Sequence, residues 1–266
     1  MKLKHLSASV LAITLALGAG AAQARNLQEV QASKTLTAIT TASAPPHGFL
    51  EPKSGKLEGI MVDVVEHVAK HLGATAQVSD VAFAGLIPSL TSGRVDIMSA
   101  PLFITPERST AVDFTDPVYE WGEGLVLQEK TDKTYTNLEA LAGSRVGVLV
   151  DSVQFNMLKD MSGTKVTTYK DYATLMTDLR AGRIDAGVID PPSIAYQIRA
   201  RGVPGVKLDS AYTPKNKWHV GLAVEKGNTE LLQAVNTALA SMRSNGEMAQ
   251  ILEKWGVLDL MSQPQR

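Results

Sequence analysis

No cysteine occurs anywhere in the 266 residues. Its absence excludes a disulfide framework, a thiolate nucleophile, a zinc–thiolate site and a lipid-bearing cysteine. Neither sign of charge is in excess: 26 Lys and Arg face 27 Asp and Glu, so the basic footprint of a nucleic-acid binder is missing, and so is an acidic tail. The apolar run Leu6 to Leu17 falls short of the ~20 residues needed to span a bilayer, and no later run is longer. No Gly-x-Ser-x-Gly elbow, no phosphate-cradling Gly-x-x-x-x-Gly-Lys and no carboxylate pair at glycosidase spacing is present. No cofactor and no nucleic-acid partner are expected.

What remains is an ordinary globular composition, 44% apolar with 21 Gly and 12 Pro, long enough for one or two domains with real cores. At the N-terminus Lys2, Lys4 and His5 precede the apolar run, and Ala22-Gln23-Ala24 follows it, the pattern of a cleavable secretory signal peptide over 1–24. Cleavage there removes two of the 26 basic residues and no acid. The mature chain from Arg25 then carries 24 basic against 27 acidic residues, a formal charge near −3, and is expected to be exported and unanchored.

From Thr35 onward, short β-rich runs alternate with helical ones, the pattern of a mainly parallel sheet covered by helices. Leu36 to Thr41 reads as a strand. Ile60, Val64, Val68 and Leu72 recur every four residues and mark a helix ended by Gly73. Strands at Ala76 to Val81 and Val95 to Met98 bracket a helix over Gly85 to Thr91. The cycle then restarts: strand Arg145 to Val150, helix Ser152 to Met161, strand Lys165 to Tyr169, helix Asp171 to Ala181 capped by Asp171, and strand Ile184 to Ile189.

The likeness between the halves extends to single residues. Leu86-Ile87-Pro88-Ser89-Leu90-Thr91-Ser92-Gly93-Arg94-Val95-Asp96 matches Leu175-Met176-Thr177-Asp178-Leu179-Arg180-Ala181-Gly182-Arg183-Ile184-Asp185. Each copy is a helix, a glycine terminator, a turn and a buried strand, one per lobe. Ligands of open α/β sheets sit outside the carboxyl ends of the strands, which directs attention to the segments after these two strands, and to Arg108 and Asp190.

A series of motifs in order then resembles a known family. Gly55-Lys56-Leu57-Glu58-Gly59-Ile60-Met61-Val62-Asp63, Ile104-Thr105-Pro106-Glu107-Arg108, Val112-Asp113-Phe114-Thr115-Asp116-Pro117, Leu141-Ala142-Gly143-Ser144-Arg145-Val146-Gly147-Val148, Gly182 to Asp190 and Ile251-Leu252-Glu253-Lys254-Trp255-Gly256 together are similar to the periplasmic solute-binding proteins of amino-acid-type ABC importers, family 3. The resemblance implies a Venus-flytrap: two α/β lobes, each a mixed, mainly parallel sheet flanked by helices, joined by two hinge strands and closing on ligand. It places the first lobe at 35–124 with 223–266, the second at 125–222, and the hinges near Leu125 to Leu127 and Gly221 to Val224. A monomer that hands an amino-acid-like ligand to an inner-membrane permease is implied, with no catalysis.

By the same resemblance Arg108 grips the ligand carboxylate and Asp190 receives its ammonium. A guanidinium fork meets a carboxylate with two parallel bonds and keeps its charge on desolvation. Competing assignments are a surface ion pair of Arg108 with Glu107 or Asp113, and a helix cap for Asp190 before Pro191 and Pro192. Phe83 is an apolar wall or plain core. Ser152 is a ligand hydroxyl or an N-cap. Ala100, His47, His219, Tyr119 and Trp121 fall near the expected cleft. Five positions depart from the family pattern: Phe103 replaces a small hydroxyl residue, Thr41 and Ala44 stand where cation-selective members carry an acid and an aromatic ring, Val153 replaces a Thr, and Asp151 replaces a common Gly. Thr41 argues against a basic amino acid; Phe83 and Phe103 argue for an apolar or compact ligand, including a cyclic zwitterion. Asp151 restores a cation site from the other side, or serves as the general acid of a cyclohexadienyl (arogenate) dehydratase-like enzyme, the alternative on this fold. His67 and His71, with Asp63, have metal-like spacing on one helix, but a solvated helix face accounts for them better.

Overall fold

The computed structural model describes residues 24–258. The expected signal peptide, apart from Ala24, lies outside the described residues, as do 259–266 of the expected first lobe. The chain opens with α1 (Leu27–Ser33), β1 (Thr35–Thr40), β2 (Ser43–Ala44), β3 (Gly48–Leu50), β4 (Leu57–Glu58), α2 (Ile60–His71), β5 (Thr75–Asp80), α3 (Leu86–Thr91), β6 (Ile97–Met98), α4 (Arg108–Ala111) and β7 (Val112–Phe114). It continues through β8 (Tyr119–Gly122), β9 (Gly124–Gln128), β10 (Arg145–Leu149), α5 (Val153–Leu158), β11 (Lys165–Tyr169), α6 (Tyr172–Arg180), β12 (Ala186–Ile189), α7 (Pro191–Arg201) and β13 (Val206–Leu208). It then returns through β14 (Lys217–Val220), β15 (Ala223–Glu225), α8 (Thr229–Ser244) and α9 (Glu247–Lys254).

Two five-stranded sheets result, in the orders β5-β1-β6-β15-β7 and β11-β10-β12-β9-β13. Each has three parallel strands at one side, β5-β1-β6 and β11-β10-β12, and beside them a strand running antiparallel, β15 or β9. Those two antiparallel strands are the ones that follow the crossings between sheets. Between them β8 and β14 pair as a two-stranded ribbon. Leu125 to Leu127 therefore lie inside the second sheet and Ala223 and Val224 inside the first, so the crossing segments sit a few residues before the positions expected for the hinges. Buried Glu123 ties the crossings together, accepting from the Tyr212 hydroxyl and from the backbone N–H groups of Lys215 and Asn216.

The repeated sequence builds the same device twice. Leu86 and Leu90, and their counterparts Leu175 and Leu179, are fully buried against their sheets, and each such side chain is worth about 1.5–3 kcal/mol of transfer free energy. Gly93 and Gly182 end the helices with positive φ, +67° and +70°, where a side chain would be strained. The aspartates that close the copies reach back to the neighbouring parallel strand, β1 or β10: Asp96 accepts from the Thr37 N–H at 2.7 Å, and Asp185 from the Arg145 N–H at 2.9 Å. Helices cover both faces of each sheet, and inner strands such as β6, β9 and β12 are accordingly buried on both sides.

Candidate ligand-binding site

Between the two sheets lies a cavity of about 370 Å³. Most of its walls are segments that follow the carboxyl ends of parallel strands: Thr41 after β1, Phe83 after β5, Phe103 after β6, Asp151 and Ser152 after β10, Lys170 after β11, and Asp190 after β12. Both sheets thus present their strand ends to one space, as strand order reversal at β1/β6 and β10/β12 dictates.

Arg108, the first residue of the short α4, enters this space from the first lobe. Its Nη1 donates to the Phe103 carbonyl at 3.0 Å, and it makes no ion pair among the described residues. Asp113 bonds Lys226 instead, at 2.6 Å. Burial draws the guanidinium below its ordinary pKa, with Glu107 opposing, yet an arginine stays charged at any physiological pH. A half-buried, charged fork with no ion-pair partner among the described residues is a ready partner for a carboxylate.

Asp190 enters from the opposite side. It is buried at the start of α7, but its side chain makes no capping bond to that helix. Pro191 and Pro192 lack N–H donors, and the carboxylate turns elsewhere. Oδ2 accepts from His47 Nε2 at 2.9 Å and from Ser193 Oγ at 3.0 Å. Oδ1 is buried with no hydrogen-bond partner. The Asp190 N–H donates to the Tyr172 hydroxyl at 3.1 Å. Burial, reinforced by the Asp190 charge, pushes the Tyr119 and Tyr172 phenols well above their usual pKa, so both remain O–H groups.

Phe83, Phe103 and Trp121 supply aromatic wall, with Phe103 against Trp121 at 5.3 Å between ring centroids. Thr41 lines the cavity and its hydroxyl pairs with Ser43 at 3.1 Å. Trp121 Nε1, like Asp190 Oδ1, is buried without a partner. Ser152 borders the cavity, but its hydroxyl is already used: it donates to the Leu149 carbonyl at 2.7 Å and accepts from the Phe155 N–H at 3.1 Å. Asp151 borders it too, exposed, in the left-handed region at φ 57°, which a non-glycine residue seldom adopts. That backbone is why a glycine would suit the position.

Ala100, His47, Tyr119 and His219, all expected near the cleft, do not line the cavity. Ala100 is fully buried, and its methyl packs with Ile39, Leu86 and Leu102 in the first lobe's core rather than on the cavity wall. His47 does not line the cavity; it holds Asp190. His219 pairs with Glu120 on the ribbon at 3.2 Å. Lys170 and Tyr172, both on the wall, were not singled out from sequence, although the strand-end rule applied to Lys165 to Tyr169 reaches them. On α2, His67 and His71 both meet Glu247 Oε2, at 3.2 and 3.1 Å, while Asp63 is taken by Lys254 and Trp255. Among the described residues no group of three or more such side chains is arranged to hold a metal ion, and no helix is long and apolar enough to cross a membrane.

Comparison with known proteins agrees with this geometry. The L-cystine-binding protein TcyJ of Escherichia coli (strain K12) is 31% identical over 263 residues, covering 96% of this chain and 97% of its own. An ancestral arginine-binding protein, solved bound to glutamine, superposes with a TM-score of 0.74 at 36% identity, covering 84% of this chain and 97% of that one. An ancestral amino acid-binding protein that is a precursor of cyclohexadienyl dehydratase superposes with a TM-score of 0.77 at 28% identity, covering 86% and 98%. The sequence model of the bacterial extracellular solute-binding proteins, family 3, matches residues 36–257, nearly the whole described chain. With both sheets, the crossing ribbon and the shared cavity in place, the chain belongs to the bacterial extracellular solute-binding proteins of family 3.

Proposed function

We propose that this protein is the periplasmic substrate-binding component of an amino-acid ABC importer, exported by its signal peptide and acting as a monomer without catalysis. Its lobes are 35–124 with 223–266, and 125–222, hinged at the β8/β14 ribbon. One observation carries the reading: Arg108 and Asp190, from opposite lobes, border the same cavity, each with charge left over. A zwitterion whose carboxylate meets Arg108 and whose ammonium meets Asp190 Oδ1 bridges the cleft, and its binding free energy favours closure. The side chain of the ligand then runs along Phe83, Phe103 and Trp121 toward Asp151 and Lys170. Neither of those two charged groups has a hydrogen-bond partner among the described residues, so an amino acid with a polar far end fits that path. The L-cystine specificity in the name of the E. coli relative is of that kind.

A dehydratase-like enzyme is the second reading, supported by the ancestral relative and by Asp151 at the cavity. It is the weaker, because a general acid needs burial or a neighbouring like charge to hold its proton near neutral pH, and Asp151 is exposed. A thermal-shift screen of refolded, ligand-stripped mature protein against amino acids, cystine, ectoines, polyamines and small dicarboxylates tests the proposal. A ligand at ~100 times its Kd adds about 2.7 kcal/mol to folded stability. A response to zwitterions supports the clamp. A response restricted to polyamines removes the role given to Arg108, and turnover of arogenate or prephenate removes the non-catalytic reading.

A further inference from the structure

We propose that His47 is the positioning residue of the cleft: it latches the two lobes beside the cavity and orients Asp190 so that a single carboxylate oxygen faces the ligand. The ligand half of this statement rests on the reading of Asp190 given above; the latch does not.

His47 lies in the turn between β2 and β3 and is completely buried. Its backbone is fixed from both sides. The His47 N–H donates to the Ala44 carbonyl at 2.7 Å, and its carbonyl accepts from Met61 at the start of α2, at 2.9 Å. Pro46 accepts from Ile60 in the same way, at 2.8 Å. Gly59, φ 139°, lets the helix start come this close, since a Cβ there would stand 2.5 Å from the His47 carbonyl oxygen. The ring stacks on Trp121, 4.7 Å between centroids with a 20° tilt, and on Tyr119 at 5.7 Å. All of these groups belong to the first lobe or to the ribbon, so the imidazole is held before it meets the second lobe.

The meeting is a chain of two hydrogen bonds. Asp190 Oδ2 already accepts from Ser193 Oγ; with the same oxygen accepting from the ring, His47 Nε2 carries the proton over 2.9 Å. In that tautomer Nδ1 is an acceptor, and the Tyr119 hydroxyl donates to it over 2.9 Å. The groups that face this chain are Tyr119 and Trp121 from the ribbon, and Asp190, Ser193 and Tyr172 from the second lobe. No lysine or arginine hydrogen-bonds Asp190 among the described residues, so its charge is left for the ligand. Two consequences follow. A protein-made bond contributes to closure in addition to whatever the ligand contributes, and Asp190 cannot turn both oxygens to the cavity.

The test uses full-length mature protein. His47→Phe keeps a ring against Trp121 and removes both hydrogen bonds; His47→Gln keeps an N–H donor near the Nε2 position. Small-angle scattering of ligand-stripped protein is expected to show a larger radius for His47→Phe than for wild type, with His47→Gln close to wild type. Affinity for the amino acid found by thermal shift is expected to drop about 10- to 100-fold in His47→Phe, the loss typical of a hydrogen bond to a charged group. Nitrogen-15 NMR of wild type is expected to show the Nε2–H tautomer of His47, a signature that depends on neither variant folding. The Nδ1–H tautomer, or equal radii for wild type and His47→Phe, overturns the latch. Asp190→Asn still accepts from His47 and separates the two claims: unchanged closure with equal loss for ligands with and without an ammonium refutes the ligand reading and leaves the latch standing.

Discussion

Tyr196, on α7 of the second lobe, lies 5.6 Å from Phe49 on β3 of the first, ring centroid to ring centroid. Trp255, just beyond α9, completes the group, edge-on to Phe49 at 5.6 Å and 6.1 Å from Tyr196. The helix that begins at Asp190 therefore carries two interlobe contacts, a polar one at its first turn and an aromatic one further along. Aromatic pairs contribute about 0.5–1.5 kcal/mol beyond their area. Tyr196→Ala is expected to speed ligand dissociation roughly 2- to 10-fold, read by stopped-flow fluorescence, with little change in association. Unchanged dissociation means that this cluster does not help hold the lobes closed.

Ser152 separates a structural hydroxyl from a ligand-binding one. Its Oγ caps α5 through the Phe155 N–H, and losing a serine N-cap costs about 1 kcal/mol. Ser152→Ala is expected to lower the unfolding free energy by that amount, with a lower denaturation midpoint, and leave Kd within about threefold. A normal midpoint with weakened binding reverses the assignment.

Asp185 sets an acid limit. The Arg145 guanidinium, donating over 3.0 and 3.1 Å, holds its carboxyl well below the ordinary aspartate range, against a smaller opposing effect of burial. A carboxyl whose pKa falls on folding stabilises fully above its unfolded value of about 3.9 and loses that contribution as pH falls through it toward the folded value. The pair is partly exposed, so its contribution is screened. Wild-type stability is expected to decline from about pH 5 downward, and Asp185→Asn is expected to decline less steeply there while starting lower at pH 7. Parallel curves from pH 3 to 7 contradict this.

The placing of Arg108 and Asp190 at one cavity was legible because a repeat with an offset visible in single residues fixed two strands, and the strand ends of open α/β sheets face the ligand. The boundaries of β11 and the cap at Asp171 were legible for the same local reasons. Contacts between segments far apart in the chain were not. His47 reads as one more polar residue near the cleft, and only the folded chain brings Asp190, 143 residues on, to its ring. Glu247 joins His67 and His71 across 180 and 176 residues. Ala100 shows the opposite failure: one residue from the cavity-lining Pro101, in the bend after β6, it is fully buried in the first lobe's core.

Calorimetric titration of ligand-stripped wild type, Arg108→Ala and Asp190→Asn with the amino acid identified by thermal shift, and with its analogue lacking the ammonium, tests whether the two residues clamp a zwitterion. Arg108→Ala is expected to lose both ligands by well over tenfold, or 1.4 kcal/mol, and Asp190→Asn to weaken only the ammonium-bearing one. Retention of the amino acid within tenfold by Arg108→Ala, in a protein that melts like wild type, would contradict it.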